Sequence, residues 1–344
     1  MYRFPIHEEL VEGEITILQE AIAKETVAVE PSDCPVCQGN EASSFVRLSD
    51  YEYSTVDQSF AFVSCQRCAL LRLNPRPRVD QFNKIYPSNY HPFNFSKGKS
   101  IGYWARDLRD RLIIRKYRKY LLPGARVIDV GCGDGGFLKL LKKYGHRSYE
   151  LSACDLNDAI LNDLESEGVR IYAGDFLEQE VPAAYFDFVV CFHTLEHVPD
   201  PVSMLKKLAS SLKPNQGKLV LQVPTPRGLN WLIFKGKYWS GYHTPRHFWL
   251  FCFEHIEQMA KQVGLRVVTA RTIPSPGFWM QSILNMLNDL DVRPKIKKHF
   301  DINQKPTPFI SLVGLTFFTL VDILQSLIFH KTDTLEIIFE KSDI

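Results

Sequence analysis

The stretch Val127-Ile-Asp-Val-Gly-Cys-Gly-Asp-Gly-Gly-Phe-Leu138 constrains the fold of this chain more than any other. An apolar run leads straight into glycines at three alternate positions, Gly131, Gly133 and Gly135, and a helix-forming segment follows at once. Only glycine lets the backbone turn that tightly and still leaves room for a ligand against the main chain. The predicted order is strand, tight turn, helix, the first unit of an open α/β sheet. Two carboxylates set the chemistry of the ligand: Asp129 at the end of the strand and Asp134 within the loop. A phosphate loop wants positive potential at the following helix N-terminus. Carboxylates there disfavour a pyrophosphate and favour a cationic or neutral ligand carrying hydroxyls and an amine.

The chain is 344 residues long, enough for one large domain and a small one. A net charge of +2 gives no reason to expect a nucleic-acid partner. Residues 1–30 are acidic and mixed, without a charged-then-apolar leader, so the expected compartment is the cytoplasm. Cys132, Cys154, Cys191 and Cys252 are scattered among apolar residues, a usage that fits a reducing environment. The other four cysteines form two knuckles, Cys34-Pro-Val-Cys37 and Cys65-Gln-Arg-Cys68. Each knuckle offers two thiolates to a tetrahedral Zn²⁺. A module this small cannot bury enough core alone, and a metal supplies the missing stability. Four thiolates leave no open coordination position, so the expected zinc is structural.

The predicted organisation is an N-terminal arm with a short amphipathic helix (1–30), a zinc-ribbon-like β module (31–80), and a linker with a basic helix (81–123). Residues 124–344 then alternate strands with helices, the pattern of a parallel sheet. Strands are expected over 126–130, 149–154, 170–173, 186–192, 218–223, 267–272 and 335–340. Helices are expected over 137–144, 159–167, 202–212 and 254–263, with insertions at 224–251 and 274–330.

Three later features extend the glycine turn. Asp155 ends the second strand, where a carboxylate can accept hydrogen bonds from both hydroxyls of a ribose. Gly174-Asp175-Phe176 ends the third, where an acid can meet an adenine amine while an aromatic covers the ring. Cys191-Phe-His-Thr-Leu-Glu-His-Val-Pro-Asp-Pro201 follows the fourth. Taken in order, Asp129-x-Gly-x-Gly-x-Gly135, Asp155, Gly174-Asp175 and Leu195-Glu-His-Val-Pro-Asp200 resemble the class I S-adenosylmethionine-dependent methyltransferases. The nearest likeness is to the subfamily of ubiquinone-biosynthesis O-methyltransferases and many small-molecule and sugar methyltransferases. It covers roughly residues 104–275 and the final strand.

The resemblance implies a doubly wound, mostly parallel, seven-stranded Rossmann-like sheet with S-adenosylmethionine as cofactor. Its binding set would be Asp129, Gly131, Gly133, Gly135, Asp155, Asp175, Phe176 and His193. The leading expectation is O-methylation of a small-molecule, sugar or lipid-linked acceptor. Sugar C-methylation is the runner-up, because that family also carries an amino-terminal zinc-binding domain. RNA methylation and a cofactor-binding protein without turnover are further alternatives. Against RNA, the basic residues of 106–119 read as one solvated helix face, and no Asn/Asp-Pro-Pro-aromatic loop follows the fourth strand.

Methyl transfer to a hydroxyl or an acidic carbon needs a base. His193, Glu196 and His197 fall at the carboxyl edge of the sheet, where open α/β sheets bind ligands. The insertion Trp239-Ser-Gly-Tyr-His-Thr-Pro-Arg-His-Phe-Trp249 is the second candidate region. There His243 or His247 is expected to act as base, with Arg246 orienting an anionic group of the acceptor; a packed lid with satisfied histidines is the alternative. The apolar segment 309–329 is long enough to span a bilayer by count. Its stripe of Ser311, Thr319, Asp322 and Ser326, and the strand that follows, argue against a crossing. The basic run Arg293-Pro-Lys-Ile-Lys-Lys298 suits an anionic membrane surface. Two uses stay open for the segment: contact with a membrane surface or lipid-like acceptor, and a homodimer interface or helical cap.

Overall fold

The computed structural model describes residues 26–87, 90, 103–302 and 308–342. The amphipathic helix expected in the arm lies outside these residues. The chain begins with a small β module made of β1 (Val29–Glu30), β2 (Ala42–Leu48), β3 (Phe60–Cys65), β4 (Leu71–Leu73) and β5 (Arg76–Pro77). β1 falls in the stretch read as arm. It pairs with β5, and Val27 before it is buried, so the module begins earlier than its cysteines announce.

The larger sheet contains β6 (Arg126–Val130), β7 (Glu150–Asp155), β8 (Arg170–Ala173), β9 (Phe188–Phe192) and β10 (Lys218–Pro224). After a two-residue strand β11 (Trp249–Leu250), the chain adds β12 (Leu265–Ile273) and β13 (Thr334–Lys341). The spatial order is β12-β13-β10-β9-β6-β7-β8. β10, β9, β6, β7 and β8 pair in parallel, and β13 runs antiparallel to both neighbours. This is the expected doubly wound, mostly parallel, seven-stranded sheet.

Strand alternation explains the double winding. On β10, Leu219, Leu221 and Val223 enter one apolar layer while Val220 enters the other. The layer holding Val220 is covered by the helices Tyr103–Tyr117, Gly136–Tyr144 and Asp158–Ser166, through residues such as Ile114, Leu141 and Leu164. The opposite layer is covered by Pro201–Ser211 and Phe253–Gln262, through Leu205, Leu208, Ile256 and Met259. The basic helix is not simply a solvated face. Lys116 and Tyr117 both reach the buried Glu336 carboxylate on β13, which also receives Arg271 and Gln222.

The module is not a separate unit. Its buried residues, among them Phe60, Phe62 and Leu73, belong to the same continuous core as the second layer of the large sheet. β11, from the first insertion, joins β4 as an edge strand, so the module's sheet reads β11-β4-β3-β2. Arg246, three residues before β11, completes the junction. Its Nη1 and Nη2 donate to the two carboxylate oxygens of Asp50 at 3.1 and 2.8 Å. Nε donates to the Ile85 carbonyl at 2.7 Å, and the remaining donors reach the Thr244 carbonyl and the Thr55 hydroxyl. All five guanidinium N–H groups are thereby used. Both partners are fully buried. Burial alone would raise the Asp50 carboxyl, but the Arg246 hydrogen bonds and charge, with Thr55, hold it down at about 2.

Removing one partner of a buried pair leaves an uncompensated charge, at a cost of about 3–5 kcal/mol. Arg246→Met and Asp50→Asn should therefore each lower stability by that order in urea unfolding, and Arg246→Met/Asp50→Leu should recover most of the loss. Single variants within about 1 kcal/mol of the parent would contradict the assignment.

Candidate active site

The glycine turn sits at the carboxyl end of β6. Gly131 and Gly135 have φ of 74° and 68°, left-handed values that favour glycine. Neighbours enforce the choice, since a Cβ on Gly131 would meet Thr194 Oγ1 at 2.1 Å and one on Gly135 would meet Leu164 at 2.5 Å. Asp134 Oδ1 accepts the Gly136 N–H at 2.9 Å, placing a carboxylate at the start of the following helix. That is the reverse of a phosphate-binding terminus. The Asp155 side chain takes the Gly133 N–H on Oδ2 and the Asn157 N–H on Oδ1, so it braces the turn as well as facing the edge of the sheet. Asp129 is 3% exposed and receives no hydrogen bond among the described residues. Burial, reinforced by the nearby Asp155 and Asp134 charges, pushes it up to about 8.

Two cofactor candidates on β8's exit behave differently from each other. Asp175 is exposed and accepts the Leu177 N–H. Phe176, expected to cover an adenine ring, is packed into the core, with Lys207 Nζ above its ring at 5.5 Å. Lys207 also donates to the Leu177 and Gln179 carbonyls, tying the loop after Phe176 to the helix Pro201–Ser211.

The turn after β9 abuts the glycine turn through Thr194, whose hydroxyl donates to the Val130 and Phe192 carbonyls. His193 has φ 51°, donates its backbone N–H to Gln222 O at 2.8 Å, and keeps its ring half-buried beside Phe278. Its Nδ1 lies 3.5 Å from Glu196 Oε1. Glu196 is fully buried, and neither carboxylate oxygen has a hydrogen-bond partner among the described residues.

The insertion brings two further imidazoles to the same carboxylate. His247 Nδ1 donates to the Gly241 carbonyl at 2.8 Å and its Nε2 lies 3.8 Å from Glu196. His197 Nδ1 faces the Arg246 carbonyl and the Tyr86 hydroxyl. Burial depresses both rings well below the ordinary histidine range, and neighbouring histidines add to it. A neutral ring that donates from Nδ1 presents a lone pair at Nε2. One ligand atom each from Glu196, His197 and His247 therefore lies within 4.8 Å of the others, three acceptors with no donor between them. That donor set has the chemistry of a cation site.

The other residues expected to act from the insertion have different roles. Arg246 has no donor left to orient an acceptor, because all five serve the junction with the module. His243 is engaged at both nitrogens, Nδ1 with Glu52 at 2.6 Å and Nε2 with the Tyr90 hydroxyl at 3.3 Å. His247 is buried against Glu196 rather than opening to solvent. Of the expected bases, His193 is the most exposed, and it adjoins Thr194, which packs on the glycine turn. Glu52, Tyr86 and Tyr90 were missed; the only signal in the sequence is the aromatic density of 51–53 and 86–90, which does not say what they face.

The four knuckle cysteines converge as expected. Cys34 and Cys68 sulfurs lie 3.4 Å apart, as do those of Cys37 and Cys65, and all four fall within 4.8 Å of one another. Gln38 and Ala69, each directly after the second cysteine of its knuckle, share a left-handed φ of 56° and 60°. Thiolates 2.3 Å from a tetrahedral zinc would sit about 3.8 Å apart, so the donor set fits that ion.

Residues 103–270 match a methyltransferase domain family model. This region is a class I S-adenosylmethionine-dependent methyltransferase domain. Among curated proteins, a ubiquinone biosynthesis O-methyltransferase of Xanthomonas campestris pv. campestris is 40% identical over 101 residues, 27% of this chain and 41% of that protein. One from Idiomarina loihiensis is 36% identical over 117 residues, 33% of this chain and 47% of that protein. The matches thus span less than half the length of these relatives. Among solved structures, an S-adenosylmethionine-dependent methyltransferase from Archaeoglobus fulgidus aligns with a TM-score of 0.44 and 21% identity, covering 69% of this chain and 94% of that one.

The Asp129 carboxyl of the methyltransferase domain titrates near 8 when folded, against about 3.9 in an unfolded chain. The folded state therefore holds this proton more tightly, and stability from this group falls as pH rises from about 4 to about 8. Asp129→Asn is expected to melt at higher temperature than the parent at pH 8, with the advantage shrinking towards pH 4. A difference independent of pH would contradict the burial argument.

Proposed function

We propose that the protein transfers a methyl group from S-adenosylmethionine to an oxygen of a small-molecule acceptor. The observation that carries this reading is the buried Asp129 carboxyl, without a hydrogen-bond partner among the described residues, beside the left-handed glycine turn. The ammonium of a methionine moiety would satisfy it. Asp155 and Asp175, with the Gly131 and Gly133 backbone, would hold the nucleoside side, and the cofactor would supply an electrophilic methyl group on a sulfonium. His193 is assigned as the general base. It stands on the turn that touches the glycine loop, and the Glu196 charge 3.5 Å from its Nδ1 would favour a proton there, leaving Nε2 for the acceptor hydroxyl. The curated relatives are named for O-methylation in ubiquinone biosynthesis, which favours oxygen over carbon as the methylated atom.

The cysteine module is assigned one structural zinc, held by Cys34, Cys37, Cys65 and Cys68. Zinc there would fix the knuckles, and through β4 and β11 the insertion that walls the acceptor side. Elemental analysis of the purified chain should find about one zinc per molecule, falling in Cys65→Ser together with thermal stability. Protein free of metal at full stability would overturn the assignment.

Calorimetry with S-adenosylhomocysteine tests the cofactor reading; no binding would end it. With an acceptor panel of phenols, catechols and keto-sugars, S-adenosylhomocysteine release should depend on His193, and His193→Ala should lose roughly 10²–10⁴-fold in kcat with cofactor affinity kept. Full turnover in that variant would remove the base, and product NMR showing a new C–CH₃ bond would favour the sugar C-methylation reading.

A further inference from the structure

The helix Phe309–Phe329 has its polarity inside out. Ser311, Asp322 and Gln325 are its buried side chains. Asp322 accepts from the Ser275 N–H at 2.7 Å, from Trp279 Nε1 at 2.8 Å and from Gln325 Nε2 at 2.6 Å. Gln325 Oε1 takes the Leu229 N–H, and Ser311 donates to the His299 carbonyl. The polar stripe thus bolts the helix to the domain. A soluble protein's surface helix does the opposite, burying its apolar stripe.

The outer face presents Val313, Phe317, Leu320, Leu324, Leu327 and Ile328, all exposed, with Leu327 at 71%. Leu232 and Ile233 extend it from the short helix whose first N–H Gln325 holds. Such a contiguous apolar surface is far from ordinary for a monomer in water. The face also offers almost nothing to hydrogen-bond. Thr316, the polar residue that points outward, donates to the Leu312 carbonyl in its own helix, and Thr319 does the same to Leu315. Protein interfaces carry about one hydrogen bond per 100–200 Å². A surface whose hydroxyls are all satisfied within the helix meets the requirement of hydrocarbon instead.

Charge identifies the lipid. Residues 291–301 hold Arg293, Lys295, Lys297 and Lys298 against Asp291 and Asp301. Arg293, Lys295 and Lys298 are exposed and have no acidic partner among the described residues. The Ser311–His299 bond sets this basic segment beside the start of the apolar helix. We infer that Phe309–Phe329 lies flat in the surface of an anionic bilayer, its outer side among acyl chains and the 293–298 cations among acidic headgroups. At 21 residues it would lie along about 32 Å of membrane.

Flotation of the full chain tests this without any acceptor, so its failure leaves the methyl-transfer reading untouched. The chain should float with vesicles containing one third phosphatidylglycerol and stay behind with pure phosphatidylcholine. Leu320→Glu/Leu324→Glu should cut the bound fraction at least tenfold with the melting temperature unchanged. Should that pair disturb folding, Arg293→Gln/Lys295→Gln/Lys298→Gln, all on exposed side chains, should cut binding by a similar factor and remove its salt dependence. No flotation of the parent, or equal flotation of both variants, would overturn the inference. So would a stable dimer by light scattering that Leu320→Glu/Leu324→Glu dissociates while vesicles bind nothing.

Discussion

One guanidinium joins what the chain keeps far apart. Arg246 bonds to Asp50, 196 residues away, and to Ile85, 161 residues away, and its Cζ lies 4.6 Å over the Tyr53 ring. A charge placed where no water reaches is tolerated only if every donor is met and the counter-charge is in contact. Both conditions hold, and they hold only when the module, the Phe82–Ile85 turn and the first insertion are all in place. The junction is therefore conditional on three segments at once.

The turn bearing Glu196 and His197 inherits that dependence. The three residues after Arg246 hold that turn: His247 faces Glu196, the Phe248 N–H donates to the Glu196 carbonyl, and the Trp249 indole donates to the Val198 carbonyl. From the module, Arg76 donates to the Pro199 carbonyl. The turn bearing Glu196 and His197 is thus gripped from outside the sheet. The cofactor side needs none of this, because the glycine turn is braced by Asp155 and by neighbouring strands of its own sheet. The glycine turn is held by its own sheet, whereas the turn bearing Glu196 and His197 is held by segments from across the chain.

That division explains what could be read in advance. The strand over 126–130 has the bounds that its apolar run before the glycines implies, because burial on both faces leaves a continuous signal. The glycine turn, its acids and the cysteine knuckles were legible for the same reason: each is short-range chemistry. Arg246 was misread as a ligand for an acceptor because nothing near it in sequence names Asp50 or Thr55 as partners. Phe176 was misread because an aromatic at a strand exit looks the same whether it covers a ring or enters the core. β11, at two residues, is too short to carry a pattern. The apolar helix was visible as apolar, but its inverted orientation depends on Ser275 and Trp279, whose contacts with Asp322 only the fold creates.

The most direct measurement is hydrogen exchange on Arg246→Met beside the parent. If the buried guanidinium couples the three segments, protection should fall together over 50–55, 82–87 and 240–250 and in the 194–199 turn. Amides of β6, β7 and β9 should keep their parental rates. Loss confined to 240–250, with the module and the 82–87 turn unchanged, would contradict the account.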